Sequence, residues 1–283
     1  MIKGRNNKRL IALLFALMFF AAGCSSSNNT SGIEASYVKQ DLSGVWMGYF
    51  GNNFALGIIS TEDQEHYSAW FIGSNIQYVS PADSFLEQVA PSSIFQGDLN
   101  DFEWDTNGLD YQSSSRALFI SGPVQTKSLF GGGLFPGGYY MYEDNQQDMN
   151  AIIFYYNTTY DLSPNVNDIS GQWEIKDEFK TGNTLVLAIA LSSSTTGTTI
   201  SGEDDRGNTF DGTIKIHYNS TPHNVYDLNL TCNNTINFTG LATYILGATT
   251  EGITLPQKTL AIGATGTNDG ITYSLTGFGD VKQ

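Results

Sequence analysis

The amino-acid sequence predicts an all-β protein of two tandem antiparallel β domains, each an eight-stranded up-and-down barrel or, alternatively, a β-sandwich. Three observations support this prediction. Apolar and polar residues alternate over short segments, Gly, Asn, Asp and Ser separate these segments, and the hexapeptide DLSGVW at 41–46 returns as DISGQW at 168–173. No stretch after residue 32 keeps a 3.6-residue period over three turns, so we expect little helix.

Alternation is clearest in the second half of the chain. Leu185, Leu187, Ile189 and Leu191 lie two residues apart, which places them on one face of a strand. The alternating pattern returns at 210–216 and 226–230. Further strands are expected at 171–177, 198–204, 235–245, 258–265 and 271–279. Eight short strands with close turns favour a barrel over a sandwich, because closure removes the exposed sheet edges.

The repeated hexapeptide divides the chain into two blocks of about 120 residues. The segment SPNVND at 163–168 lies between them, and its Pro and Asn are typical of a turn or linker. We therefore predict an N-terminal β domain over 41–164 and a C-terminal β domain over 165–283. Each copy of the repeat then begins the first strand of its own domain.

The Gly-x-Trp within each copy is similar to the first motif of the lipocalin and wider calycin barrels. In those barrels the Trp lies on the first strand and closes one end. The resemblance implies that Gly44 and Trp46 in one domain, and Gly171 and Trp173 in the other, form structural plugs. Each domain would then be a calycin-like barrel.

The N-terminus has the pattern of a secretory signal peptide over 1–23. Four basic residues precede an apolar run from Leu10 to Ala22, which is too short to cross a bilayer as a helix. The run ends in Ala-Ala-Gly-Cys, which resembles the lipobox of bacterial lipoproteins. That resemblance implies that Cys24 carries the lipid and becomes the first mature residue; ordinary cleavage that leaves Cys24 as a free thiol is the alternative.

The resemblance to lipoproteins also predicts the location. Ser25 follows the cysteine where an Asp would favour inner-membrane retention, so we expect an outer-membrane anchor, with the leaflet left open. Residues 24–40 comprise the lipidated Cys24 and a segment that begins with the small polar stretch SSSNNTSG at 25–32, and this segment is expected to form a flexible tether. After residue 23, nine Lys and Arg remain against 28 Asp and Glu, a net charge of about −19. Nucleic acids are therefore excluded as partners, because phosphate groups would be repelled.

A wider resemblance covers nearly the whole mature chain. The stretches SGEDDRGNTFDG at 201–212, VYDLNLTC at 225–232 and FTGLA at 238–242 are similar to the second domain of two-domain outer-membrane lipoproteins of proteobacteria, which have no established activity. Asn208 stands where that pattern has its first Cys. With Cys24 lipidated, Cys232 has no partner cysteine and is predicted to be a buried, unpaired thiol.

No pattern in the sequence predicts catalysis, a metal site or a cofactor. The chain has three His residues and no Gly-x-Ser-x-Gly elbow. A Ser-His-Asp triad would require His217 or His223 to lie in a cleft with a carboxylate and a nucleophile. The alternating carboxylates of 101–105 lack the Gly and Glu positions of a calcium loop, so we expect a solvated strand face. We predict that the protein is not an enzyme.

The first half is rich in aromatic residues, which could line a cup for a small apolar or amphiphilic ligand. The candidate ligand contacts are Trp70, Tyr78, Tyr140, Tyr142, Phe154 and Tyr156. The sequence therefore predicts a lipoprotein that acts by binding a ligand in one barrel. The alternative is an envelope scaffold with solid barrels, whose outer surfaces or loops, such as 131–148, bind another envelope protein.

Overall fold

A computed structural model describes the chain in segments. They are 42–50, 53–61, 66–73, 77–79, 86–89, 94–104, 111–123, 134–142, 150–176, 184–191, 198–218, 222–247, 249–250, 253–254 and 258–282. The predicted signal peptide, Cys24 and the tether lie outside these residues. No helix among the described segments is long and apolar enough to span a lipid bilayer.

The described residues of the first half form nine strands followed by one short helix. The strands are β1 Gly44–Phe50, β2 Asn53–Thr61, β3 His66–Gly73, β4 Gln77–Val79, β5 Leu86–Val89, β6 Ile94–Trp104, β7 Gln112–Pro123, β8 Leu134–Tyr142 and β9 Asn150–Asn157. A 3-10 helix follows at Thr158–Asp161, where the Asn157 side chain accepts a hydrogen bond from the Thr159 N–H and so caps its start.

Ten strands lie in the described segments of the second half. They are β10 Gly171–Lys176, β11 Thr184–Leu191, β12 Thr198–Asp204, β13 Thr209–Ile216, β14 Tyr226–Cys232, β15 Ile236–Ile245, β16 Thr249–Thr250, β17 Ile253–Thr254, β18 Thr259–Asn268 and β19 Ile271–Val281. Strands β16 and β17 pair only with each other among the described residues and form a small separate sheet.

Antiparallel pairing closes the sheet of the second half. Each of β10 to β15 pairs with the next, β15 pairs with β18, β18 with β19, and β19 with β10. This is a closed barrel of eight strands, so the predicted all-β class and the antiparallel barrel are confirmed. In the first half, β1 pairs with both β2 and β9, and β4 and β5 lie end to end between β3 and β6, because they pair with different parts of those two strands.

The division into two tandem domains stays a prediction. Residues 39–283 form one compact unit, and strand pairs Thr272–Ser113 and Tyr273–Gln112 join β19 to β7. We therefore refer to residues 42–164 and 165–282 as the first and second halves.

Alternate residues of the second-half strands fill the barrel interior. These side chains are at most 3% exposed, and they include Trp173, Leu187, Phe210, Leu228, Phe238, Ile262 and Leu275. Tyr111 of the first half joins this core. Its ring meets Phe210 and Phe238 edge-on at centroid distances of 5.7 and 6.2 Å, and its hydroxyl donates to Asp204 Oδ2 at 3.0 Å. A residue from one half therefore completes the core of the other.

Among the side chains that the structure describes, strands β1 to β3 have buried residues on both faces. Trp46, Gly57 and Phe71 pair across them on one face, whereas Val45 and Ile58 pair on the other, and all five have side chains or backbone packed in the core. The same core cluster contains four residues of the second half, namely Val225, Leu241, Ile245 and Ala261. Because each buried aliphatic side chain contributes roughly 1.5–3 kcal/mol, this shared apolar contact binds the halves strongly.

Candidate functional site

The repeated hexapeptide forms the same local structure twice. The indole N–H of Trp46 donates to the carbonyl of Leu42 at 3.0 Å, and that of Trp173 donates to the carbonyl of Ile169 at 2.8 Å. Both Trp side chains are at most 1% exposed. A buried indole needs a partner for its N–H, so the carbonyl four residues earlier makes the Trp a self-contained plug at the start of its first strand.

The two glycines of the motif are required for different reasons. A Cβ on Gly44 would lie 2.8 Å from both the Trp46 Nε1 atom and the Tyr156 ring, so side-chain crowding requires glycine there. Gly171 has open space around it but a φ of +128°, which L-residues rarely adopt. The two glycines match in the sequence, but side-chain crowding requires glycine at position 44 and the backbone conformation requires it at position 171.

The candidate ligand contacts do not gather around one described cavity. Phe154 and Tyr156 lie in the core, where they meet Phe71 at 5.3 Å and Trp46 at 5.4 Å. Trp70 lies on the opposite face of β3, packed toward Gly263 of the second half. Tyr78 is on β4, and Tyr140 and Tyr142 are on β8. For these three residues the structure describes the backbone but not the side chain.

Cys232 is a buried, unpaired thiol among the described residues, as predicted. It is 1% exposed, and burial raises its pKa to about 11. Asn208 replaces the expected cysteine and makes polar contacts instead: its side-chain amide donates to Asp204 Oδ2 at 2.7 Å, and its Oδ1 accepts from Asn233 at 2.8 Å. This hairpin is therefore closed by hydrogen bonds to amides and a carboxylate.

An acidic depression lies on the second half. It is open, measures about 620 Å³, and is formed by residues of β11, β12 and β13. The exposed carboxylates of Glu203, Asp205 and Asp211 lie on it. Asp204 is buried beneath it and accepts from the backbone N–H groups of 206 and 208, so its charge is engaged in the hairpin turn.

A chain of three polar side chains lies at the boundary between the halves. Ser60 is the penultimate residue of β2 and shares a face with Ile58, so its side chain points toward the second half. His217 directly follows β13, and its N–H donates to the Val225 carbonyl at 2.9 Å. Asp227 is the second residue of β14 and pairs with Lys215, which brings its side chain beside the imidazole.

The imidazole connects the other two side chains. Ser60 Oγ lies 2.5 Å from His217 Nε2, and His217 Nδ1 lies 2.6 Å from Asp227 Oδ1. An ionised carboxylate only accepts hydrogen bonds, so Nδ1 is the donor to Asp227, and Nε2 of the neutral ring accepts from the Ser60 hydroxyl. The three hydrogen-bonded side chains become more exposed in order: Ser60 is 2% exposed, and the side chains of His217 and Asp227 are 19% and 44% exposed.

Sequence reasoning named His217 but did not find this arrangement. Ser60 and His217 are 157 residues apart, and no motif surrounds Ser60. The other histidine near the boundary, His223, stacks on Tyr160 at a centroid distance of 4.2 Å. No group of three His, Cys, Asp or Glu in the described segments is placed to hold a metal ion.

Comparison with protein-family models, curated proteins and solved structures found no match for this chain.

Proposed function

We propose that the protein is a lipid-anchored outer-membrane lipoprotein that serves as a scaffold, with two tandem barrels and an outer surface that binds another envelope protein. The observation that carries the proposal is the packing of the described aromatic residues. Phe154, Tyr156 and Trp173 fill the core instead of lining an empty cup, and Trp70 packs between the halves. Because these aromatic side chains serve in packing, we place the recognition of a partner protein on the outer surface.

The acidic depression supports a choice of partner. Exposed carboxylates at Glu203, Asp205 and Asp211 surround a concave surface, and a basic segment of an envelope protein has the complementary charge. The high negative charge of the mature chain would speed the encounter with such a segment at low salt.

In-cell photo-crosslinking tests this proposal. A photoreactive residue placed at Glu203 should capture one envelope protein, and the same residue at Asn229, an exposed position on β14 outside the depression, should not. Capture at Glu203 should weaken when Asp205 and Asp211 are changed to Lys. Equal capture from both positions, or none at Glu203, would reject the depression as the docking surface.

A second experiment separates the scaffold from a ligand-holding barrel. Native mass spectra of the detergent-extracted protein, and of a soluble form that begins after Cys24, should show the polypeptide mass without a small molecule. A persistent extra mass on the soluble form would reject the solid-barrel proposal in favour of a bound apolar ligand.

The anchor is tested separately. Changing Cys24 to Ser should abolish incorporation of labelled palmitate and release the protein from the outer-membrane fraction, because the acyl chains supply the membrane affinity. Retention of the Cys24→Ser protein in that fraction would contradict the proposed anchor.

A further inference from the structure

We propose that Ser60, His217 and Asp227 form an acyl-transfer site that hydrolyses small carboxylic esters. Ser60 is the nucleophile, His217 the general base and then the general acid, and Asp227 the residue that orients His217. This goes beyond the scaffold function, does not depend on it, and contradicts the sequence-based expectation that the chain is not an enzyme.

The argument begins with the order and separation of the three groups. Nucleophilic catalysis by serine needs a base within hydrogen-bond reach and a third group that fixes the base. The separations of 2.5 Å from Ser60 Oγ to His217 Nε2 and 2.6 Å from His217 Nδ1 to Asp227 Oδ1 meet both needs. Triads are recognised by this geometry and not by their order in the sequence.

The arrangement is also held from several elements. Ser60 comes from β2 of the first half, Asp227 comes from β14 of the second half, and His217 is the first residue after β13. The backbone N–H of His217 donates to the Val225 carbonyl at 2.9 Å, so the residue is held at the base of the β13–β14 connection, and the imidazole is further held by Asp227. A site on rigid elements keeps its geometry better than one on loops.

Packing alone does not require a hydroxyl at position 60. Leu56 and Ile58 share the same face of β2 and are fully buried, so an apolar residue would continue that surface. A serine here instead buries a polar group, and the His217 ring satisfies it. A hydroxyl hydrogen-bonded to an imidazole that a carboxylate holds has the order of nucleophile, base and orienting group.

Access to Ser60 limits the substrate. Ser60 is 2% exposed, so the carbonyl group of a substrate must approach it beside the His217 ring. Of the two partly exposed residues, His217 and Asp227, His217 is the one in contact with Ser60. Tyr218, the next residue along the chain, is 82% exposed and offers apolar surface. A buried hydroxyl approached past the His217 ring fits a small ester and excludes a folded protein.

The reaction balances with water as the only co-substrate. The Ser60 hydroxyl proton moves to His217 Nε2 while Oγ bonds to the ester carbonyl carbon, and the tetrahedral adduct then loses the alkoxide, which takes that proton and leaves as an alcohol. Water attacks the resulting acyl-Ser60 ester and gives a proton to His217. The Ser60–acyl bond breaks, the proton returns to Ser60 Oγ, and the carboxylic acid leaves.

The experiment uses the full lipidated chain in detergent, with p-nitrophenyl acetate as substrate and a small fluorophosphonate as covalent probe. The wild type should gain one phosphonyl group as fluoride leaves, and peptide mass mapping should place it on Ser60. Ser60→Ala should lose the label and at least about 10³-fold of kcat/KM. Asp227→Asn should lower kcat with little change in KM, as expected for a group that orients the base.

Matched controls exclude general effects of substitution. Ser43→Ala removes another buried serine and His223→Gln another boundary histidine, and both should keep full activity and labelling. Labelling of the wild type does not depend on whether a variant folds. An unlabelled wild type, a label on another residue, or hydrolysis equal in wild type and folded Ser60→Ala would overturn the proposal and leave the three residues as a structural bridge.

Discussion

Replacing Trp173 by Phe should destabilise the protein by about 2–4 kcal/mol. The indole is fully buried, and the smaller ring removes roughly 40 Å² of apolar surface, worth about 1 kcal/mol at about 25 cal/mol per Å². The substitution also takes the N–H donor from the buried Ile169 carbonyl, now 2.8 Å away, and an unsatisfied buried acceptor costs about 1–3 kcal/mol.

Urea unfolding followed by far-UV circular dichroism measures this loss. Trp46→Phe is the matched variant, because Trp46 makes the same bond to Leu42 in the other half. Tyr218→Phe is the control, since that side chain is 82% exposed and its change should stay within about 0.5 kcal/mol. A loss below about 1 kcal/mol for Trp173→Phe, or an equal loss for Tyr218→Phe, would refute the plug.

The same variants test how the halves cooperate. Since apolar residues of both halves share one core cluster, we expect a single unfolding transition that both Trp variants shift. Two transitions, each shifted by only one variant, would show that the halves unfold independently.

Three further predictions concern single residues. Gly171→Ala should cost about 1–3 kcal/mol in thermal or urea unfolding through backbone strain at φ +128°, and Gly171→D-Ala by chemical ligation should restore stability. Burial raises the pKa of Cys232 from 9.0 to about 11 and that of Tyr226 from 10.0 to about 12. Because both groups are neutral in the folded protein below pH 9, the stability that they support is complete there and is lost progressively from about pH 9 to 12. Unfolding measured against pH should therefore show destabilisation at alkaline pH, and Cys232→Val should reduce it. Tyr111→Phe should lose about 1–2 kcal/mol with its bond to Asp204, and a calorimetric midpoint unchanged from wild type would count against that bond's contribution.

Local patterns were sufficient to predict several features of the chain. A period of two identified the second-half strands, because side chains alternate across a strand whatever lies beside it. The repeated hexapeptide indicated the same local structure twice, because the bond from each indole to the carbonyl four residues earlier is made within the motif. The burial of Cys232 followed from its place on an apolar strand face.

Other features depend on contacts between distant parts of the chain. Alternation shows which residues of β1 to β3 share a face, but both faces are apolar there, so only the packed structure reveals that Val45 and Ile58 meet the second half. Tyr111 enters the other half's core through a left-handed backbone with φ 64°, which no sequence period predicts.

The sequence by itself determined the strand class, the repeated bond of a Trp indole and the buried thiol of Cys232, because each depends on neighbours within a few residues. Tertiary structure decided which outer faces are covered and which polar groups meet. Ser60, His217 and Asp227 come together because antiparallel pairing aligns β13 with β14, and the apolar contact between the halves places β2 against them. Hydrogen bonds act over about 3 Å, so three-dimensional packing, and not separation along the chain, determines their partners.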